Sequence, residues 1–297
     1  MTSNTPIEGS ELGRWQLLRV LGSGSYGTVF EARNKTVTTM RSAIKVLHLQ
    51  WAQDPSIKQR FLQEAMAMDR ARHQHVVQIL DADIPDQGPC WMAMEFLSGT
   101  TLEDAIKSAP DHRLPVGRAL RIIQQVASAL HTAHALQIVH RDLKPANIFL
   151  LHPGTPEETV KVLDFGVAKL RDLSQAAARG TLAGTPLYMS PEAVGSRPDI
   201  DGRADLYALG VILFECVVGS PPFSGGIGTL MRAHTESAPP DPRALVPDLD
   251  PAVAQLILAL LKKEPAERPQ SAGEVYTWAG MLLGQQTAPL PHATAVL

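Results

Sequence analysis

The feature that most constrains the fold of this chain is a short polar segment near its middle. Residues 140–145 read His-Arg-Asp-Leu-Lys-Pro, Asn147 follows, and residues 164–166 read Asp-Phe-Gly. Taken alone, a His-Arg-Asp or an Asp-Phe-Gly triplet is usually a turn or a cluster of surface charges. Their order and distance bring two carboxylates, an amide and a lysine into one stretch of sequence, which indicates a catalytic segment.

These residue types match the requirements of phosphoryl transfer. In that reaction the protein mainly positions a hydroxyl, two metal ions and a triphosphate, and spreads the charge of a loose transition state. Asp142 is the candidate acceptor of the substrate hydroxyl proton. Asn147 and Asp164 are the candidate ligands of Mg²⁺ or Mn²⁺ bridging the phosphates of ATP, and Lys144 would neutralise charge on the transferred group.

Length and composition fit two lobes around a cleft. The 297 residues are many for one core, and the apolar content of 44% is enough to fill two. The net charge of −3 comes from 27 basic and 30 acidic residues without a basic block, so no nucleic acid or anionic membrane is predicted as a partner. Two isolated cysteines offer no disulfide framework and no metal-ligand spacing.

No membrane span is predicted in this chain. The longest apolar stretch, residues 208–219, contains Glu215 and falls short of the ~20 residues that cross a bilayer, so we expect a buried helix there. The first six residues have neither the basic segment nor the apolar run of a secretory signal. The predicted compartment is the cytoplasm.

The hydrophobic pattern predicts a β-rich first part and a helical second part. Short apolar runs over 15–30 and 42–47, separated by turn residues, predict antiparallel strands. Three-to-four spacing over 120–133 and 206–213 predicts helices. The expected fold class is α+β, with a small antiparallel β lobe that contains one helix and a larger, mainly α-helical lobe.

The one helix of the first lobe is expected to run from Pro55 to about Arg72. Three-to-four spacing predicts an apolar face made of Ile57, Phe61, Leu62, Ala65, Met66 and Met68. We place the first lobe at residues 12–96 and the second at 97–284. Residues 1–11 and 285–297 are polar or rich in Pro and Ala, which predicts flexible tails.

A glycine-rich segment indicates a phosphate-binding turn. Residues 22–29 read Gly-Ser-Gly-Ser-Tyr-Gly-Thr-Val, and glycines allow a backbone to approach phosphates closely. This pattern alone more often marks a dinucleotide-binding fold, but that fold requires a helix next, whereas residues 28–32 continue as a strand. A hairpin covering ATP fits better.

Lys45 and Glu64 are the candidates for aligning the phosphates. Lys45 ends the next predicted strand and would reach the α- and β-phosphates if Glu64, on the predicted helix, holds it as an ion pair. The alternative is an ordinary exposed lysine. A movement of the helix that carries Glu64 would provide on/off control.

The apolar segment 91–97 is predicted to join the two lobes and to contact adenine. Backbone groups of Glu95 and Leu97 would meet the adenine edge, and Met94 would either guard the back of the pocket or simply fill the core. Other residues predicted to line the ATP site are Leu21, Gly22, Ser23, Gly24, Gly27, Val29, Ala43 and Phe149.

With these motifs in place, the chain resembles the eukaryotic-like (Hanks-type) serine/threonine protein kinases from Trp15 to about Leu283. Residues 190–192 read Ser-Pro-Glu where the family has Ala-Pro-Glu. The resemblance implies an ion pair between Glu192 and Arg268. It also implies that His140 orders the catalytic loop without transferring a proton. The residues to which it assigns structural roles are His140, Phe165, Thr185, Glu192, Asp205 and Arg268.

The resemblance also implies the class of substrate. Lys144 and the sequence Gly-Thr-Pro-Leu-Tyr at 184–188 are similar to those of kinases that modify serine or threonine in proteins. Compact loops resemble those of bacterial members. Ala146 stands where many arginine-directed relatives carry Glu, although Glu103 and Glu215 remain candidates for binding basic residues. His131 and His134 are interpreted as surface or core histidines without a role.

The same resemblance predicts regulation by phosphorylation. Thr181 matches the activation-loop phosphosite, and a phosphate there needs cationic partners to order the loop. Arg60, Arg141 and Lys169 stand at the positions that would bind it. The alternative is that these basic residues are merely solvated. A transient dimer would allow one copy to phosphorylate another.

Two other functions are known for chains with kinase-like motifs. A pseudokinase scaffold would be expected to lack Lys45, Asp142, Asn147 or Asp164, and all four are present. A small-molecule kinase of the aminoglycoside type would not be expected to carry the 184–192 docking segment. A scaffold role in addition to activity remains compatible with the sequence.

Overall fold

In the computed structural model, residues 6–24, 26–165, 186–195, 197 and 199–284 are described. The chain separates into two units. The first contains the residues up to 72 together with 77–98, and the second contains 73–76 and the residues from 99 onward. The antiparallel sheet of the first unit and the helices of the second confirm the predicted α+β class.

The first unit is built on a six-stranded antiparallel sheet with the order β1-β2-β3-β4-β6-β5. Alternation of apolar residues places one face of this sheet in a core. Trp15, Phe30, Ile44 and Trp91 belong to that core. The strands are β1 (Glu11–Leu12), β2 (Trp15–Ser23), β3 (Gly27–Asn34), β4 (Arg41–Leu47), β5 (Ile79–Asp83) and β6 (Trp91–Glu95).

The described part of the predicted N-terminal tail runs beside β2. The Gly9 N–H donates to the carbonyl oxygen of Leu17, and Glu11 pairs with Gln16. Glu11 thus belongs to the sheet as the first residue of β1, and residues 6–10 precede its strands.

The predicted helix of the first unit is present as α2 (Pro55–Arg70), after a single turn, α1 (Leu49–Ala52). Asp54 caps it by accepting hydrogen bonds from the backbone N–H groups of residues 56 and 57. The predicted apolar face is wrong for Leu62 and Met66, which are 42% and 54% exposed. The helix buries a narrower stripe, because only positions spaced by three and four residues share one face. Phe61, Ala65 and Met68 form that stripe, and Ala67 beside it is also buried.

The second unit is mainly helical, as predicted. Its helices are α3 (Leu102–Ser108), α4 (Val116–Ala135), α5 (Pro191–Val194), α6 (Arg203–Val218), α7 (Ile227–Glu236), α8 (Pro242–Leu245), α9 (Pro251–Leu260) and α10 (Ala272–Leu282). A small antiparallel sheet contains β7 (Gly99–Thr101), β8 (Ile148–Leu151) and β9 (Thr159–Val162). The two predicted helical runs lie within α4 and α6.

Helix α6 is the centre of the second unit, because it is buried around nearly its whole circumference. It packs against both α4 and α9. Gly210 allows the close approach to α9, where an added Cβ would lie 2.6 Å from the Cβ of Leu260. Among the described helices, none is both long and apolar enough to span a membrane.

Residues 73–76 belong to the second unit because of specific contacts. A nitrogen of the His75 ring lies 3.1 Å from the carbonyl oxygen of Val160, and the Val162 N–H donates to the carbonyl oxygen of His75 at 2.8 Å. Val76 also forms an isolated parallel bridge with Val162. This segment therefore extends the small sheet at β9.

Glu192 and Arg268 form the buried ion pair that the family resemblance implied. The two guanidinium–carboxylate distances are 2.7 and 2.8 Å, and the side chains are 6% and 0% exposed. Arg268 also donates to the carbonyl oxygens of residues 203, 262 and 263. Because the N–H groups of its guanidinium donate to several segments at once, this arginine links α5, α6 and the turn before α10.

Arg268→Met is expected to lower the free energy of unfolding by about 3–5 kcal/mol, because it leaves the Glu192 carboxylate buried without its partner. Urea denaturation measures the change. The matched control is Arg197→Met, since Arg197 lies 3.8 Å from Glu264 and both side chains are more than half exposed. Equal losses in the two variants would contradict this account.

Candidate active site

Asp205 organises the segment that carries the catalytic motif. Its side chain, in the first turn of α6, is 1% exposed. It accepts hydrogen bonds from the backbone N–H groups of His140 at 2.8 Å and Arg141 at 2.9 Å. His134, near the end of α4, contacts the same carboxylate through Nε2 at 2.8 Å. These contacts fix where the chain leaves α4 and enters the motif.

The charge of Asp205 is stabilised although the group is fully buried. Burial disfavours the carboxylate, but the hydrogen bond from His134, the neighbouring imidazoles and the Arg141 N–H outweigh it. The pKa of Asp205 is therefore lower than that of an ordinary aspartate. The backbone of Arg141 has a φ of 64°, which is unfavourable for a residue with a side chain. The two backbone hydrogen bonds to Asp205 help to stabilise this conformation.

His134 is a residue that the sequence analysis missed. It was interpreted as a surface or core histidine, and it is instead a partner of Asp205. The contact requires glycine at position 202, because a Cβ added there would overlap the His134 ring. The space for the imidazole thus depends on a glycine far away in sequence, at the start of α6.

His140 links the motif to the Asp-Phe-Gly segment. Its Nδ1 accepts from the Asp142 N–H at 3.2 Å, so the proton lies on Nε2, which donates to the carbonyl oxygen of Leu163 at 2.9 Å. Its ring also lies 4.8 Å from that of Phe165. Burial lowers the pKa of His140, so the ring stays neutral and acts as a structural bridge.

Asp142, Lys144 and Asn147 lie together on the next turn. The ammonium of Lys144 is 3.1 Å from Oδ2 of Asp142, and Nδ2 of Asn147 donates to the same oxygen at 3.0 Å. Asn147 donates a second bond to the backbone carbonyl of Asp142 at 2.8 Å. Both bonds use Nδ2 of the side-chain amide. The amide oxygen Oδ1 of Asn147 therefore points away from Asp142 and is suited to bind a cation.

Asp164 lies beside this turn through its neighbour, since the Leu163 N–H donates to the backbone carbonyl of Asn147 at 2.9 Å. Its φ of 41° is in the left-handed region. One carboxylate and one amide oxygen fit Mg²⁺, which takes few protein oxygens and completes its shell with phosphates and water. Among the described residues, no three His, Cys, Asp or Glu side chains converge into a site that would hold a metal by themselves.

The first unit contains the expected Lys45–Glu64 pair. The ammonium of Lys45 on β4 lies 2.7 Å from Oε1 of Glu64 on α2, and each side chain is 16% exposed. Lys45 is therefore not an ordinary exposed lysine. Val29 is directly opposite Lys45 in the sheet, so the two side chains share a face.

The glycine-rich segment is a β-hairpin, as predicted, with the Gly24 N–H donating to the carbonyl oxygen of Gly27 at 2.9 Å. An added Cβ at Gly27 would collide with the carbonyl oxygen of Val46, so the strand spacing there requires glycine. Gly22 and Ser23, like Leu21 at 41%, are exposed. The backbone at this turn is therefore accessible.

The structure places the other predicted nucleotide residues in both units. Ala43 pairs with Met94 across β4 and β6, and Glu95 ends β6. Leu97 is partly exposed just beyond it. Phe149 is partly exposed on β8 of the second unit.

The predicted regulatory residues Lys169, Thr181 and Thr185 lie outside the described residues, as do 1–5 and 285–297.

Tyr188, at the end of the 184–188 motif, is attached to α6. Its hydroxyl donates to Oε2 of Glu215 at 2.7 Å, and burial raises the pKa of both groups. Glu103 forms an ion pair with Lys107 at 2.9 Å. Both acidic candidates for binding basic substrate residues thus have partners within the chain.

His134→Ala is expected to lower the free energy of unfolding by about 1.5–3 kcal/mol, because the buried Asp205 carboxylate loses a hydrogen bond. His131→Ala, three residues earlier on the same helix, is the control and should cost clearly less. Urea denaturation of both variants tests this. A loss no larger for His134→Ala than for His131→Ala would exclude the role assigned to His134.

The family comparison agrees with this architecture. The model of the protein kinase domain matches residues 15–277. The chain is similar to the serine/threonine-protein kinase Pkn1 of Myxococcus xanthus, with 40% identity over 89% of this chain and 37% of that protein. It is also similar to the serine/threonine-protein kinase PknJ of Mycobacterium tuberculosis, with 34% identity over 96% of this chain and 49% of that protein.

Solved structures give the same result. The PknI kinase domain of Mycobacterium tuberculosis superposes with a TM-score of 0.72 at 27% identity, covering 93% of this chain and 99% of that one. The chain spans half or less of the length of the curated relatives quoted above. The predicted resemblance to bacterial kinases is confirmed. From the family model, the relatives and the bilobal fold together, we conclude that the chain belongs to the protein kinase family.

Proposed function

We propose that this chain is the catalytic domain of a serine/threonine protein kinase, which transfers the γ-phosphate of ATP to hydroxyl groups of protein substrates. The observation that carries the proposal is the turn on which Lys144 and Asn147 both contact the carboxylate of Asp142. The names of the curated relatives support it. The bridge from His140 to Leu163 supports it further, because it ties this turn to Asp164.

In the proposed mechanism, residues of the second unit handle the transferred group. Asp142 orients the acceptor hydroxyl and takes its proton, and Lys144 neutralises charge on the phosphoryl oxygens. Protein kinases use ATP with a divalent metal, and Asn147 and Asp164 would hold it through oxygen atoms. When bound, the metal neutralises phosphate charge. We propose Mg²⁺, and assays with Mg²⁺ or Mn²⁺ as the only divalent cation distinguish the two.

Residues of the first unit bind the rest of ATP in this proposal. Lys45, held by Glu64, contacts the α- and β-phosphates, and the backbone of residues 22–27 covers them. Leu21, Val29, Ala43 and Met94 supply apolar contacts to adenine. The backbone groups of Glu95 and Leu97 meet the adenine edge.

An active enzyme is favoured over a scaffold because the residues that such scaffolds lose are in place and paired. Lys45 contacts Glu64, and Asp142 contacts Asn147. A small-molecule kinase is disfavoured because Tyr188, in the segment that resembles the protein-docking loop, is fastened to α6 by Glu215.

Regulation is part of the proposal. We propose that phosphorylation of Thr181, by a second copy in a transient dimer, activates the enzyme, with Arg60, Arg141 and Lys169 binding the phosphate. Thr185 would contact the catalytic turn. Residues 12–96 and 97–284 would be the two lobes, and the chain would act in the cytoplasm.

Asp142→Asn is expected to lower kcat for phosphate transfer roughly 10²–10⁴-fold, because it removes the general base. The affinity for ATP should be nearly unchanged. Transfer of labelled γ-phosphate to a generic protein substrate measures kcat. Asp248→Asn is the control, since Asp248 is an exposed surface residue. Near-normal turnover of Asp142→Asn would remove Asp142 from this role.

Thr181→Ala is expected to abolish activating autophosphorylation, because a phosphate on this residue supplies the added negative charge that draws basic side chains together. Wild-type protein incubated with ATP should carry phosphate on Thr181, and Asp164→Ala protein should carry none. Mass spectrometry locates the phosphate, and Ser174→Ala is the control in the same segment. Full activity of Thr181→Ala without phosphate in the loop would contradict this regulation.

A further inference from the structure

A buried carboxylate joins three neighbouring strands of the first unit. Glu31 on β3 has a side chain only 8% exposed, and it lies between Arg19 on β2 and Arg41 on β4. Nε of Arg19 donates to one carboxylate oxygen at 2.8 Å, and Nε of Arg41 donates to the other at 2.9 Å. Both oxygens of Glu31 are used, which holds each guanidinium in a defined place.

Arg41 makes a second contact that gives this arrangement a consequence. Its guanidinium carbon lies 3.8 Å from the centroid of the Phe96 ring. At this distance the planar cation stacks on the aromatic face. Phe96 is the first residue after β6. Its ring stacks on the side chain of Arg41, whose own position is set by Glu31.

The chain just before Phe96 is held in other ways. The Ser42 hydroxyl donates to the carbonyl oxygen of Met94 at 2.7 Å. The Glu95 N–H donates to the carbonyl oxygen of Gln78, and the Gln78 N–H donates to Oε1 of Glu95, both at 2.9 Å. The ladder of β6 ends at Glu95. Beyond it, the stacked ring is a fixed point for the backbone.

Phe96 occupies a special place in the chain, because it lies between the two residues assigned to the adenine edge. The carbonyl of Glu95 belongs to the peptide group before Phe96, and the N–H of Leu97 belongs to the peptide group after it. The directions of both groups therefore depend on the φ and ψ angles of Phe96. A contact that restricts the ring therefore also restricts those angles.

We propose that Arg41 is a positioning residue for the adenine base of ATP. Glu31 holds its guanidinium, the guanidinium holds the Phe96 ring, and the ring keeps the backbone groups of Glu95 and Leu97 directed at the base. The inference rests on the proposed function, because it assumes that these backbone groups bind adenine. It adds a set of side chains, outside the motifs of the sequence, that determines nucleotide affinity.

The expected effect is on binding and not on the chemical step. Contacts to adenine are the same in the ground state and in the transition state, so losing their alignment raises KM and leaves kcat unchanged. Arg41→Ala should lower the affinity for ATP about two- to fivefold, which is the range for a partly exposed cation–π contact. The affinity for adenosine should fall by the same factor. The affinity for inorganic tripolyphosphate, which has no base, should be unchanged.

Isothermal titration of ATP, adenosine and tripolyphosphate, with steady-state kinetics, tests the proposal. Phe96→Leu removes the ring but keeps the Glu31–Arg41 pair. The double variant Arg41→Ala/Phe96→Leu should bind ATP no more weakly than Phe96→Leu alone, since both changes remove one contact. Arg41→Lys should recover little, because an ammonium cannot stack. The control is Arg33→Ala, an exposed arginine opposite Arg41 in the sheet that pairs with Gln16.

The results separate this inference from the proposed function. If the wild type binds ATP and transfers phosphate while Arg41→Ala matches Arg33→Ala in every affinity, the positioning role is wrong and the kinase proposal stands. Equal losses for adenosine and tripolyphosphate, or fully additive effects in the double variant, also overturn it. If the wild type binds no ATP, both proposals fail.

Discussion

The hydrogen bonds accepted by the buried carboxylate of Asp205 are the interactions on which the arrangement of the second unit depends. It stands at the start of α6 and accepts bonds from two successive backbone N–H groups of the catalytic segment and from the His134 ring. A buried charge is tolerated only when it is paired and hydrogen-bonded. Here that requirement has a functional result, because satisfying Asp205 defines where Asp142 and Asn147 lie.

The same principle recurs around α6. Its apolar surface packs against α4 and α9, while several of its polar groups attach neighbouring segments. Glu215 holds Tyr188, and the backbone of Arg203 accepts from Arg268, which in turn holds Glu192. The helix thus supports both the catalytic segment, through Asp205, and the segment from Tyr188 to Glu192.

The first unit uses the two faces of its sheet for different purposes. One face carries the core around Trp15 and Ile44, and the other presents Lys45 to Glu64 and Arg41 to Glu31. Carboxylates with little exposure, Glu31 on a strand and Glu64 on a helix, again decide where the cations lie. Because Lys45 and Arg41 are four residues apart on β4, one strand would position both ends of a nucleotide: its phosphates through Lys45 and its base through Phe96.

The fold class, the strands over 15–30 and 42–47, α4, α6 and the catalytic turn could be predicted from the sequence, because local periodicity and closely spaced motifs are properties of short segments. The partners of those residues were only partly visible. Glu64 was predicted as the partner of Lys45 from its place on the helix, and Arg268 as the partner of Glu192 from family resemblance. His134, the Glu31–Arg41–Phe96 arrangement and the exposure of Leu62 and Met66 came from the tertiary structure alone. Long-range contacts and the width of a buried face depend on which elements pack together, and no local pattern encodes that. His134 shows the reason most clearly, since its role exists only where Gly202 leaves room for its ring beside Asp205.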